Sequence, residues 1–121
     1  MNMSDYNTNL STITEIFDLF SQSARLNIVL AIGSGHACVC HLEAVLGLRQ
    51  AYISQQLMLM RSAGLVETER CGKHIFYHLS DPQWLTLIQR AAELKKIELP
   101  IFELPEIDGC VYSGKSCKSN K

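Results

Sequence analysis

The 121-residue sequence predicts a small α+β domain, mainly helical with one β-hairpin, that pairs with a second copy through its terminal helices. Three observations carry this reading. Apolar residues recur at helical spacing through the first half of the chain, two short helical segments meet at Gly47, and the texture switches to alternation across 65–79.

Ile13, Ile16, Phe17 and Phe20 fall on one face of a first helix. A second helix spans roughly 23–32 and stops at Gly33-Ser34-Gly35, a C-cap and turn composition. Leu42, Val45 and Leu46 mark a short helix over about 39–46. Beyond Gly47-Leu48, the stripe Ile53, Leu57, Met60 predicts the next helix, which Ala63-Gly64 ends. Leu65–Glu69 alternates, Cys71-Gly72-Lys73 can turn, and Ile75–Leu79 is aromatic and apolar, which together predict a hairpin. Ser80-Asp81-Pro82 reads as an N-cap with proline opening the last helix, about 82–97. That helix carries two apolar stripes, Leu85, Ile88, Ala92 and Trp84, Leu87, Ala91, Leu94. One small core uses one of them, and a homodimer interface is the natural use of the other.

At this length the expectation is one domain over 1–97 followed by an irregular cysteine-containing tail over 98–121, where Pro100, Pro105, Gly109 and Gly114 break any regular pattern. The longest apolar run, Ile28–Ile32, is far short of the roughly 20 residues that span a bilayer, and no signal peptide is visible, so a cytoplasmic protein without a membrane partner is expected. Eleven Lys+Arg face twelve Asp+Glu, yet the basic residues gather in the middle, where Arg49, Arg61, Arg70 and Lys73 outnumber Glu67 and Glu69. That distribution favours a polyanion. An enzyme is disfavoured, because the chain has no glycine-rich phosphate loop and no paired-carboxylate constellation, and little volume for a deep pocket.

A helix-turn-helix followed by a basic hairpin suits double-stranded DNA, since an α-helix fits the major groove while its predecessor buttresses it. The outward residues of the second helix are Gln50, Ala51, Ser54, Gln55 and Arg61, with Tyr52 near its start. Glutamine can bond adenine bidentately, alanine can meet a thymine methyl, and arginine serves phosphate or guanine. Arg70, Lys73 and His74 at the hairpin tip suit backbone phosphates or an adjacent minor groove, and Arg49 at the helix start is counted with the DNA-binding residues.

The runs Leu46–Leu57 and Leu59–Val66, with Arg70-Cys71-Gly72-Lys73, Phe76-Tyr77-His78-Leu79 and Ser23–Ile28, resemble the ArsR/SmtB repressors across about residues 11–96. The resemblance implies a winged helix-turn-helix fold and a homodimeric repressor that releases operator DNA when an inducer binds. Arg49 stands where that family commonly has a Ser or Thr cap, and Gln56 where it commonly has His, departures that bear on the operator sequence.

Cys38-Val39-Cys40 resembles the Cys-Val-Cys element of the family's arsenic, cadmium and lead sensors, with His41 in place of the usual acidic residue. Thiolates select thiophilic As(III), Cd(II), Pb(II), Cu(I) or Zn(II) over hard ions. In a regular helix residues i and i+2 point about 200° apart, so the two sulfurs meet one ion only if the first turn is frayed or unwound. Three or four donors are expected for a soft ion. The metal set is therefore read as Cys38, Cys40 and Cys110, with Cys117 as an optional fourth. From Ile97 the 13 residues to Cys110 reach up to about 43 Å, enough for either protomer's pair. His36 and His41 flank the pair as further donors or as cap residues, and Cys71 is read as unconnected. A second family site, built of Asp, His and Glu on the last helix, is missing its histidines here. Two alternatives remain open. One is a thiol-redox repressor in which Cys38 or Cys40 pairs with Cys110 or Cys117; the other is a metal-buffering or protein-interaction module.

Overall fold

The computed structural model describes residues 3–107, with side chains from residue 7. Five helices and one antiparallel hairpin follow in the order α1 (Met3–Leu19), α2 (Ser23–Ile32), α3 (Val39–Leu46), α4 (Gln50–Ser62), β1 (Val66–Cys71), β2 (His74–Leu79) and α5 (Gln83–Lys95).

Helix α2 is the centre of the fold. Its Ile28, Val29, Ala31 and Ile32 are all buried, so it is apolar around most of its circumference rather than along one stripe. Leu42 of α3, Ile53, Leu57 and Met60 of α4, and Leu65 and Val66 at the start of the hairpin complete this core. Helix α3 ends on Gly47, whose left-handed φ of 68° lets its N–H close onto the carbonyl of Glu43. The chain then turns into α4 as the sequence predicts. Gln56 faces inward, not toward the outer surface of α4. Its Oε1 accepts a 2.8 Å bond from Arg25 Nε, and Arg25 also donates to the carbonyl of Leu19, so one guanidinium ties α1, α2 and α4 together.

The hairpin pairs Val66 with Leu79 through Cys71 with His74, closing over Gly72-Lys73, where Gly72 takes φ 65°. A short third segment joins it. Ala37 bridges Tyr77 with N–O distances of 3.0 and 2.7 Å, which sets His36 opposite His78 and Cys38 opposite Phe76. Glu67, Glu69, Cys71, His74, Phe76, His78, His36 and Cys38 therefore share one face of a three-segment sheet.

Two local expectations change. Helix α1 begins at Met3, ten residues ahead of its first apolar periodic residue, because elongating a helix costs little once it is nucleated. Ser80 does not cap α5. Its hydroxyl bonds the carbonyls of Gly64 and Leu65 and accepts from Trp84 Nε1, stitching the exit of α4 to α5, while Asp81 Oδ1 takes the N–H of Gln83. Residues 98–107 form no helix or strand, and Leu99, Phe102 and Leu104 pack against the main core.

Candidate functional site

Two surfaces concentrate the chemistry, an outer face built by α4 and the hairpin, and a sulfur cluster where α3 meets the sheet. On α4 the burial of Ile53, Gln56, Leu57 and Met60 fixes the rotation of the helix. Gln50, Ala51, Tyr52, Gln55 and Arg61 are thereby exposed, and Ser54 is half-buried. Arg49 is the exposed N-cap residue and makes no side-chain cap bond. Arg70 and Lys73 are exposed on the hairpin, while His74 is half-buried with its ring edge-on to Phe76. The pattern of outward residues thus agrees with the spacing argument. Met58 and Leu59 are also exposed on α4, which the apolar stripe did not anticipate.

Cys38 occupies the N-cap of α3 with extended φ/ψ of −95° and 171°, so it stands outside the helix whose first turn holds Cys40. The opposition that a regular helix imposes on i and i+2 is removed, and the two sulfurs meet as a disulfide across a Cα separation of 5.4 Å. His41 completes the cap. Its Nδ1 accepts the Cys38 N–H at 3.2 Å and lies 3.3 Å from Cys38 Sγ. His41 is buried and serves as a cap residue, one of the two roles its position allowed.

Cys71 changes role. It is buried with Cys38 and Phe76 in a small second core, against which Cys40 and Ile107 pack, and it too is disulfide-bonded. No local pattern around Cys71 points to this, because the proximity depends on the Ala37–Tyr77 bridge folding the loop before α3 across the hairpin. Among the described residues Cys38 pairs with Cys40, whereas the redox alternative pairs one of them with a tail cysteine. Cys110 and Cys117 lie outside the described residues.

One sheet row away, His36 Nε2 lies 3.9 Å from Glu69 Oε1 and its ring sits 4.9 Å from that of His78. Burial holds the His36 imidazole below the ordinary histidine pKa of 6.5, the positive charge of a protonated His78 adds to this, and Glu69 opposes it.

Two concavities frame these groups. An open groove of about 410 Å³ is lined by Cys38, Cys40, Gln50, Ser54, Lys73 and His74 among others, so the sulfurs and the first turns of α4 share one space. On the opposite side, Phe17, Phe20, Leu26, Leu87, Ala91 and Ile97 are among the residues around an apolar groove of about 400 Å³ between α1, α2 and α5. Phe17 is 61% exposed there, and Leu94 on α5 is 82% exposed.

Residues 22–68 match the family model described as bacterial regulatory protein, arsR family. A biofilm growth-associated repressor of Xylella fastidiosa is 32% identical over 88 residues, covering 73% of this chain and 77% of that one. An SmtB homolog of Synechocystis, named a transcriptional repressor, is 30% identical over 81 residues, which is 67% of this chain but only 61% of the relative's length. The arsenical resistance operon repressor of Escherichia coli is 36% identical over 77 residues, covering 61% of this chain and 66% of that protein. Among solved structures, reduced HlyU from Vibrio cholerae superposes with a TM-score of 0.68 at 25% identity, covering 76% of this chain and 97% of that one. The transcriptional repressor BigR from Xylella fastidiosa gives 0.66 at 30% identity, over 78% and 96%.

Proposed function

The chain belongs to the arsR family of bacterial regulatory proteins, and from that membership we propose that it represses transcription by binding operator DNA as a homodimer and lets go when a thiophilic metal(loid) ion binds its cysteines. As(III), Cd(II) and Pb(II) are the inducers that suit the donors best, with Zn(II) also able to bind sulfur. The observation that carries the reading is the shared groove. Cys38 and Cys40 line the same space as Gln50 and Ser54. An ion that draws the sulfurs together acts at the start of α3, and α3 packs directly on α4.

The residues divide the work. Gln50, Ala51, Tyr52, Ser54 and Gln55 meet base edges, while Arg49, Arg61, Arg70, Lys73 and His74 hold phosphates. Cys38 and Cys40, once reduced, supply two thiolates. Cys71, packed beside Cys38, supports a role as third donor. Cys110 follows Ile107 by three residues, within about 10 Å of a side chain packed on the cluster, which favours the tail of the same protomer as a further source of sulfur, with Cys117 beyond it. The apolar groove between α1 and α5, with Phe17 exposed in it and Leu94 exposed on α5, supports dimerisation through the terminal helices.

The disulfide favours a second reading, a thiol-redox repressor. A peroxide takes two electrons and two protons from the Cys38/Cys40 dithiol as its O–O bond breaks, leaving the S–S bond and two waters, or one water and one alcohol from an alkyl hydroperoxide. The experiment that separates the readings is fluorescence anisotropy of an operator fragment from upstream of the gene, using reduced protein. As(III), Cd(II), Pb(II), Zn(II) and peroxide are added separately. Metal sensing predicts that a thiophilic ion weakens DNA binding by about 5–150-fold, the usual span of an allosteric coupling, and that Cys38→Ser with Cys40→Ser abolishes the response. Release by peroxide alone assigns the redox reading. Thiol-dependent ion binding with no operator affinity assigns a buffering module instead.

A further inference from the structure

Next to the sulfurs, the same sheet face carries a donor set of different chemistry. His36 comes from the loop before α3, Glu69 from β1 and His78 from β2. One ligand atom from each lies within 4.8 Å of the other two. Around an ion with bonds of about 2.0–2.1 Å, tetrahedral ligand atoms stand ~3.3 Å apart. Closing this set therefore needs side-chain shifts on the order of 1 Å, and all three residues are half-buried.

The backbone beneath them is already fixed. The paired hydrogen bonds of Ala37 and Tyr77 hold His36 opposite His78, and the β1–β2 register puts Glu69 diagonally across from His78. The outer contacts of His78 suit a ligand. Its Nδ1 lies 3.2 Å from the carbonyl of Leu79, which can only accept, so Nδ1 carries the proton and Nε2 keeps the lone pair. A metal-bound histidine ordinarily has its second nitrogen oriented in this way. Glu67 Oε1, 3.8 Å from that Nε2, adds negative charge beside the position of a cation.

We propose that His36, Glu69 and His78 bind one borderline divalent cation of the Zn(II) class, with solvent completing the fourth position. Two imidazoles and a carboxylate suit Zn(II), Co(II) or Ni(II) and are a poor match for As(III), so the site is chemically separate from the sulfurs. The ion would cross-link the loop before α3 to both hairpin strands, and it would set the position of the hairpin rather than that of α4.

The test is Co(II) titration of the full-length Cys38→Ser/Cys40→Ser chain under reducing conditions, with Zn(II) as competitor. One equivalent is expected to bind with the weak d–d bands of nitrogen and oxygen ligands. His36→Gln, Glu69→Gln and His78→Gln should each weaken it by roughly tenfold or more. Circular dichroism and melting in chelator verify that each variant folds. No binding, binding solely with a sulfur-to-cobalt charge-transfer band, or binding that all three variants leave unchanged overturns the proposal. If the serine background does not fold, the reduced wild-type chain competes with a chromophoric chelator for Zn(II). There His78→Gln should lose one zinc equivalent, and an unchanged stoichiometry overturns the proposal equally.

Discussion

The sulfur cluster and the histidine–glutamate set are neighbours on the same sheet face, yet they are different kinds of place. Cys38 is 3% exposed and Cys71 9%, and both pack on Phe76, while the side chains of His36 and Glu69 are 26% and 42% exposed. Burial suits sulfur, which loses little on leaving water, whereas imidazole and carboxylate need partners or solvent. The same bridge between Ala37 and Tyr77 organises both sets. Pairing geometry brings the donors together, and the polarity around each set then decides which ion fits.

Phe76 is wholly buried and stands across the sheet between Cys38 on one side and Glu69 on the other, so removing it is the largest way to break the contrast. Phe76→Ala should destabilise the fold by about 3–5 kcal/mol, read from denaturant midpoints. It should also weaken As(III) binding at the sulfurs and Co(II) binding at the histidines together. If one affinity falls while the other stays, the two sets do not share this support.

Much of this was legible in the sequence. The stripe Ile53, Leu57, Met60 predicts a helix whose buried face the structure bears out, and the outward set Gln50, Ala51, Tyr52, Gln55 and Arg61 follows from the same rotation. What was hidden is long-range. Nothing local in Arg70-Cys71-Gly72 tells that Cys71 packs beside Cys38, and nothing near His36 points to Glu69 and His78. Both facts depend on a loop-to-strand bridge spanning forty residues. Gln56 is the reverse case. The sequence reads it as a departure from the family's histidine that bears on the operator, whereas the side chain is buried and accepts a 2.8 Å bond from Arg25.

A smaller effect sharpens the contrast through pH. In metal-free protein His36 has its pKa lowered by burial and by His78, with Glu69 acting the other way and Glu67 beside His78. Its unfolded value is near 6.5, so above that pH the imidazole is neutral in both states and contributes no slope. As pH falls below 6.5 the unfolded chain takes up the proton first, and stability declines until the folded imidazole protonates too. Denaturant midpoints in chelator should therefore drop between pH 7.5 and 5, and His36→Gln should flatten that drop. The sulfur cluster supplies no such slope, because cystine sulfurs do not titrate. A drop of equal size in His36→Gln would place its origin elsewhere.

The smallest effect comes from the pair with the best distance. Arg90 Nη1 lies 3.1 Å from Glu93 Oε1, closer than His36 is to Glu69, but the two side chains are 72% and 65% exposed. Solvent screens such a pair, and holding two long side chains together costs rotamer entropy. Glu93 also sits in the C-terminal part of α5, where the helix dipole disfavours a negative charge. Glu93→Gln should shift stability by no more than about 0.5 kcal/mol, in either direction, by thermal melting at low and high salt. A larger loss would mean that the pair is buried in the assembled protein, most simply because the α5 surface is covered by a second copy. Proximity alone therefore does not make a site; the donors around Ala37 and Tyr77 differ from Arg90 and Glu93 because three separate segments are held there by backbone pairing.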